Sequence, residues 1–303
     1  MEQSAVEQLA VMISTPLYVV LILTEIAMSN WQHKRYYTLR ETLTNLLMML
    51  ANMGIDLLFR GVYVLILLWF YQYHFVKIDN FWLYWATLFF LEDFMFYVLH
   101  VVDHYCRFFW AVHVTHHSSE ELNLTTGFRS SVFQPLYRFV YFIPLTLLGF
   151  APMDIVVMYS VTQIYGILVH TNYIGKLWQP IEYFFVTPSH HRVHHASNVA
   201  YLDKNMGMVL IIWDRIFGTY QEEIDGLPIA YGLTTPIENR NIFNMIFHEW
   251  KKIGSDLQRP VSWRTKLKYV FAPPGWSHDG STHTSNELRA LAARNSTPKK
   301  EDN

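Results

Sequence analysis

Residues 81–105 read FWLYWATLFFLEDFMFYVLHVVDHY. The run from Phe81 to Val102 has the length and apolarity that cross a bilayer, since about 20 such residues cover a ~30 Å hydrocarbon core. Its end changes character. His100 and His104 stand at i,i+4 and therefore share one helix face. Glu92 and Asp93 sit inside the same run, where an ionisable group is costly and marks function by default. Asp93 precedes His100 by seven residues, close to two helical turns, and lies on nearly the same face. One segment thus combines a membrane span with a pair of metal-ligating side chains at its end.

The rest of the chain agrees with a membrane protein. Only 16% of its 303 residues are charged and 51% are hydrophobic, against roughly 25% charged in soluble domains. Mean hydropathy is positive, +0.12. Ala5–Met28 reads as a first span and Leu43–Tyr73 as a second, with Asp56 and Arg60 paired at i,i+4 inside it. Phe139–Val169 is too long for one span. LLGFAPM at 147–153 breaks it, which predicts a helical hairpin. The fold class is therefore an all-α integral membrane protein: about four transmembrane helices plus a helical hairpin, with a cytosolic cap carrying a histidine-rich dimetal site. The expected divisions are 1–80 for the N-terminal transmembrane helices, 81–222 for the catalytic unit and 223–303 for a polar periphery. FAPPGWSHDGSTH reads as a loop and STPKKEDN as a frayed tail. The start, MEQSAVEQLA, lacks the basic stretch of a signal peptide, so the first span is expected to remain as an anchor.

Charge excludes some functions and orients the bundle. A net charge of −2 gives no basic field for nucleic acid. The single cysteine, Cys106, excludes an internal disulfide and a cysteine-based metal site. Lys34, Arg35 and Arg40 mark one loop as cytoplasmic, and the loop 71–80, with Lys77 alone, falls on the other side. The histidine end then faces the cytoplasm, in a bacterial inner membrane or, for a eukaryotic host, the endoplasmic reticulum. No P-loop, dinucleotide fingerprint or GxSxG motif is present.

Ten of the 15 histidines fall between His100 and His195. HVVDH brings His100 and His104 together, HVTHH brings His113, His116 and His117, and HRVHH brings His191, His194 and His195. At helical spacing each group aims its imidazoles at one point. Eight ligands overfill one tetrahedral zinc site and suit two metals with open positions. His170 ends an apolar helix, where an unpaired imidazole is costly, and joins the ligand set. His190 falls outside the triplet spacing. Asp93, Asp103 and Glu120 are the carboxylates expected to orient the rings, with Glu92 and Asp203 as further candidates. Imidazole alone does not choose among zinc, copper, iron and nickel. His33, His74, His248, His278 and His283 read as ordinary surface or core residues. Asp214 and Arg215 read as links between the cap and the histidine helices, and Arg129 as a snorkelling residue or one that holds a lipid headgroup or an Asp.

Four stretches carry a resemblance: WAVHVTHHSSEELNLTTGFRSS (110–131), LVHTNYIGKL (168–177), TPSHHRVHHASN (187–198) and YLDKNMGMVLIIWDRIFGTYQEE (201–223). Together they resemble the fatty acid hydroxylase/sterol desaturase superfamily, and within it the alkylglycerol monooxygenase-like branch and bacterial sterol desaturase family members. The resemblance implies two irons on His100, His104, His113, His116, His117, His191, His194 and His195, with His170 as an additional ligand. It implies O2-dependent oxidation of a lipid C–H bond under a cytosolic cap, with zinc as a replacement metal in purified protein. It also implies an external electron donor, cytochrome b5-like, ferredoxin or tetrahydropterin. The lipid is a fatty acyl, sterol-like or ether lipid. Desaturation on the same site is the near alternative. A metal transporter would need polar residues through the spans, and a structural zinc staple would not need so many ligands.

Overall fold

A computed structural model describes residues 2–296; the tail at 297–303 lies outside the described residues. In chain order the helices are α1 (Glu2–Trp31), α2 (Leu39–Tyr71), α3 (Phe81–Tyr105), α4 (Arg107–His117), α5 (Ile143–Leu147), α6 (Pro152–Leu168), α7 (Gln179–Phe184), α8 (Pro188–His194), α9 (Ile212–Phe217), α10 (Ile242–Leu257), α11 (Trp263–Phe271) and α12 (Ser285–Ser296). Among the described residues there is no strand, only isolated bridges such as Phe185 with Leu210.

Sequence sets the ends of the long helices. Thr38 caps α2 by accepting the Glu41 amide, and Asn80 caps α3 by accepting the Leu83 amide at 2.9 Å. At Cys106 the backbone turns extended, which separates α3 from α4 and lets His113 fold back toward His100. Among the described residues, three helices are long and apolar enough to cross a membrane: Met12–Trp31, Leu39–Tyr71 and Phe81–Tyr105. The hairpin forms where the sequence predicts it, but its arms, Arg138–Leu147 and Pro152–Leu168, are shorter than a full span. Its turn needs glycine: Gly149 has φ +91°, and a Cβ there would meet the Val76 carbonyl oxygen at 2.1 Å. A core of Leu67, Leu88, Phe142, Leu145, Phe150, Ile155 and Met158 joins α2, α3, α5 and α6 at that end.

The C-terminal ends of α1, α3 and α6 and the N-terminal end of α2 gather at the other end. Glu25 of α1 accepts hydrogen bonds from Tyr37 and Thr171 there. Asn123 donates to the Tyr36 carbonyl at 2.6 Å, so the loop with Lys34 and Arg35 borders the histidine end. Asp56 pairs with Arg60 at 2.7 Å, as their spacing predicts, and Arg138 and Tyr63 join them. Arg129 departs from the snorkelling reading and holds a carboxylate, that of Glu41 in place of an Asp. It is fully buried and donates to Glu41, Asn45, Ser118 and the Thr115 carbonyl. Burial pushes its guanidinium down to about 10, so it stays charged at neutral pH and ties α2 to α4.

Candidate metal centre

The nine histidines singled out as ligands meet in two adjoining groups. His100, His104, His113, His117 and His194 form one; His116, His170, His191 and His195 form the other. Within each group one nitrogen per ring lies within 4.8 Å of every other. Three helices supply eight of them: α3 gives two, α4 three and α8 with its C-cap three, while His170 follows α6. The i,i+4 pairs aim inward because long side chains on one face converge. His117 links the groups, its ring centroid 4.6 Å from that of His195.

The rings are held from behind. His100 Nδ1 faces the Met206 carbonyl at 2.8 Å, His116 the Arg129 carbonyl at 2.9 Å, His170 the Gly166 carbonyl at 2.7 Å and His194 the Lys204 carbonyl at 3.0 Å. His104 Nδ1 faces Asp203 at 3.0 Å. An oxygen acceptor there fixes the proton on Nδ1 and leaves Nε2 a bare lone pair. His113 Nδ1 faces Ser131 Oγ at 3.3 Å and Asp103 at 3.6 Å, which gives it the same polarity.

This arrangement fits metal ions. The Nε2 atoms of His100 and His113 lie 3.1 Å apart, so two lone pairs oppose each other unless a cation lies between them. The Nε2 atoms of His104 and His194 are buried without a hydrogen-bond partner, a cost that coordination removes. Burial lowers the His116 imidazole to about 4 and His170 to about 3. His191, His194 and His195 are lowered well below their ordinary value for the same reason. Neutral rings are the ligating form. The donor set, all imidazole with five and four members, suits a pair of first-row transition metals.

One loop sets three of the five rings in the first group. Residues 203–206 present, in order, the Asp203 carboxylate, the Lys204 carbonyl and the Met206 carbonyl. The chain manages this with left-handed backbone at Asp203 (φ +52°) and Asn205 (φ +57°), residue types that tolerate it. The buried Asn205 amide donates to the His190 and Gln221 carbonyls. Asp214 accepts the Met206 and Gly207 amides at 2.6 and 2.8 Å. Asp93 accepts the Val209 and Leu210 amides and the Trp213 indole. Burial raises the Asp203 carboxyl, but the His104 hydrogen bond and nearby Ser285 and Arg289 lower it more.

The expected carboxylates thus have different places. Asp103 stands behind His113, itself held by Tyr137 at 2.7 Å and Gln134 at 3.0 Å. Asp93 touches no ring and acts on the loop behind His100. Glu120 is given no contact with a ring: its side chain is 61% exposed and pairs with Arg240. It stands three positions after His117, the last histidine of α4, where the helix has ended. His190 stays outside both groups. It closes the capping box of α8 and lies 3.1 Å from Glu182. Glu92 is buried against Thr162 at 3.4 Å. Ser131, Gln134, Tyr137 and the 204–206 carbonyls had no signal in the sequence beyond the Asp-Lys-Asn run, because their role arises only when distant segments pack.

A cavity of about 710 Å³ reaches His104, His117, His194 and His195 from the cap side, walled by α10, α11 and the 272–285 segment. Arg107 fixes that wall by pairing with Glu249 at 2.8 Å and Asp256 at 2.7 Å.

Residues 85–219, which contain all nine histidines, match the fatty acid hydroxylase family model. Residues 85–219 thus form a domain of the fatty acid hydroxylase superfamily type. Within that superfamily the chain is similar to human alkylglycerol monooxygenase, 38% identical over 193 residues, covering 63% of this chain and 42% of the human protein. The Xenopus tropicalis alkylglycerol monooxygenase is 33% identical over 262 residues, covering 86% of this chain and 57% of the relative. Ornithine lipid hydroxylase OlsE of Rhizobium tropici is 33% identical over 132 residues, covering 43% of this chain and 39% of its own length. The chain spans about half the length of the alkylglycerol monooxygenases it matches. No solved structure matches it.

Proposed function

We propose that this membrane protein is an O2-dependent hydroxylase of a lipid carrying a long alkyl or acyl chain, working with two iron ions. The observation that carries the reading is the pair of adjoining, largely buried imidazole groups, six of whose rings face an oxygen from behind. His100, His104, His113, His117 and His194 would hold one ion and His116, His170, His191 and His195 the other. The names of the similar proteins, alkylglycerol monooxygenase and ornithine lipid hydroxylase, support a lipid substrate. Zinc has no redox chemistry, whereas iron supplies O2 activation; the net reaction is RH + O2 + 2 electrons + 2 protons giving ROH + H2O.

The chain's own contribution is positional. Asp203, Asp103 and the Lys204 and Met206 carbonyls would hold His104, His113, His194 and His100 in one tautomer and one orientation. The cap cavity gives a separate electron donor, protein or pterin, its approach to the centre. We orient the histidine end, with Lys34, Arg35 and Arg40, to the cytoplasm, in a bacterial inner membrane.

Comparative lipidomics tests this, in aerated cells expressing the protein or its His194→Ala variant. The expected result is a lipid that gains one oxygen only with the unaltered protein. A lipid that instead loses two hydrogens would reassign the site to desaturation. Zinc as the sole metal after expression with ample iron would overturn the oxygenase reading.

A further inference from the structure

Outside the spans, α7 and α9 carry a large exposed apolar surface: Trp178 is 74% exposed, Ile216 65% and Phe217 56%, with Tyr183 and Phe184 also exposed. Surfaces of that kind mark contact with lipid or another protein. The two helices form one unit. Ile211 donates to the Phe184 carbonyl at 3.1 Å, and Val186 donates to the Val209 carbonyl at 2.8 Å. The Arg215 guanidinium stacks on the rings of Tyr183 at 4.6 Å and Tyr220 at 3.7 Å.

This unit is fastened to a span. Phe94 of α3 lies 5.0 Å from Trp213 and 6.0 Å from Phe217, ring to ring, and Tyr97 lies 5.5 Å from Phe217. Phe94 precedes His100 by six residues, about 9 Å along the helix toward the middle of the membrane. An element stacked beside Phe94 therefore lies at the depth of the apolar part of α3. Its exposed side chains continue the outer surface of that helix.

Backbone chemistry points the same way. In hydrocarbon every backbone polar group needs an internal partner. A six-residue helix leaves most of its last carbonyls open. In α7 the side chain of Arg215 covers two of them, donating to the Glu182 and Tyr183 carbonyls at 3.3 and 3.2 Å. Trp178 and Lys176 at the start of the segment suit the headgroup boundary, where aromatic and basic residues collect.

We infer that residues 174–185 and α9 form a shelf inserted into the lipid leaflet on the histidine side, covered by lipid rather than by protein. The shelf leads directly into α8, which carries His191 and His194, and into the loop behind His100, so one face of the metal centre stands against that leaflet. The inference rests on α3 being a span and not on the hydroxylase reading, so the two fail separately.

Spin labels at Trp178→Cys, Phe184→Cys or Ile216→Cys, in a Cys106→Ser background, test it in the full chain. The protein sits in vesicles of phosphatidylcholine and phosphatidylglycerol. Collision with O2 should exceed collision with a water-soluble nickel chelate, as at a Leu58→Cys control on α2. Nickel access above oxygen access would overturn the inference. Exclusion of both reagents, with spin–spin broadening between copies, would overturn it in favour of a chain-to-chain contact. The unmodified protein gives a second measurement: photoactivated diazirine lipid in the same vesicles should form adducts on peptides 174–185 and 211–217. Adducts on α2 without any on those peptides would also refute the shelf.

Discussion

Asp214→Ala separates support of the metal centre from ligation itself. Asp214 is fully buried and touches no histidine. Its carboxylate accepts the Met206 amide at 2.6 Å, the Gly207 amide at 2.8 Å and the Thr219 hydroxyl at 2.6 Å. Removing it leaves two buried amides without acceptors, at about 1–3 kcal/mol each, so the folded state loses roughly 2–6 kcal/mol. For a protein of this size that corresponds to a melting temperature lower by on the order of 10 °C. The Met206 carbonyl, freed from its anchor, no longer fixes His100, and loss of such an outer partner typically costs about 10–100-fold in metal affinity. Asp214→Asn keeps one oxygen acceptor but sets an amide donor against the second N–H, so an intermediate loss follows. Thermal unfolding in detergent and iron content per chain are the assays. Asp214→Ala protein that melts within about 2 °C of the parent and keeps its iron would refute the claim that this carboxylate holds the loop.

Glu120→Gln should leave iron content and lipid oxidation within twofold of the parent, because an exposed ion pair contributes about 0–1 kcal/mol; a loss of activity tenfold or more would return Glu120 to the site. Removing metal with a chelator should lower the melting temperature, since opposed Nε2 lone pairs are then uncompensated, and Fe(II) should restore it; equal melting with and without metal would count against a dimetal centre. The metal-free protein should lose stability as pH falls from about 6.5 toward 4. Unfolded imidazoles take up protons below about 6.5. The folded His116 and His170 resist until about 4 and about 3, so the unfolded state binds more protons in that window. Melting scans between pH 7.5 and 4.5 that showed rising stability on acidification would reverse the sign and refute the burial argument.

Much of this was legible in linear sequence. An apolar run of span length must bury its backbone polar groups in helix, and therefore the span Phe81–Val102 could be read directly, as could the pairing of Asp56 with Arg60. The metal ligands were legible because helical period places i, i+3 and i+4 on one face whatever surrounds them. His170 was reached by the cost of burying a lone imidazole. The placing of Glu120, Arg129 and Asp93 was not legible. Glu120 pairs with Arg240 past the end of α4, Arg129 is drawn inward by Glu41 and Asn45, more than eighty residues away, and Asp93 finds its donors at 209–213. Sequence by itself determined the membrane class and the grouping of eight of the nine clustered histidines, since both follow from local periodicity. Only the tertiary structure decided how nine rings divide into five and four and which oxygens orient them, because those contacts join segments brought together by packing alone.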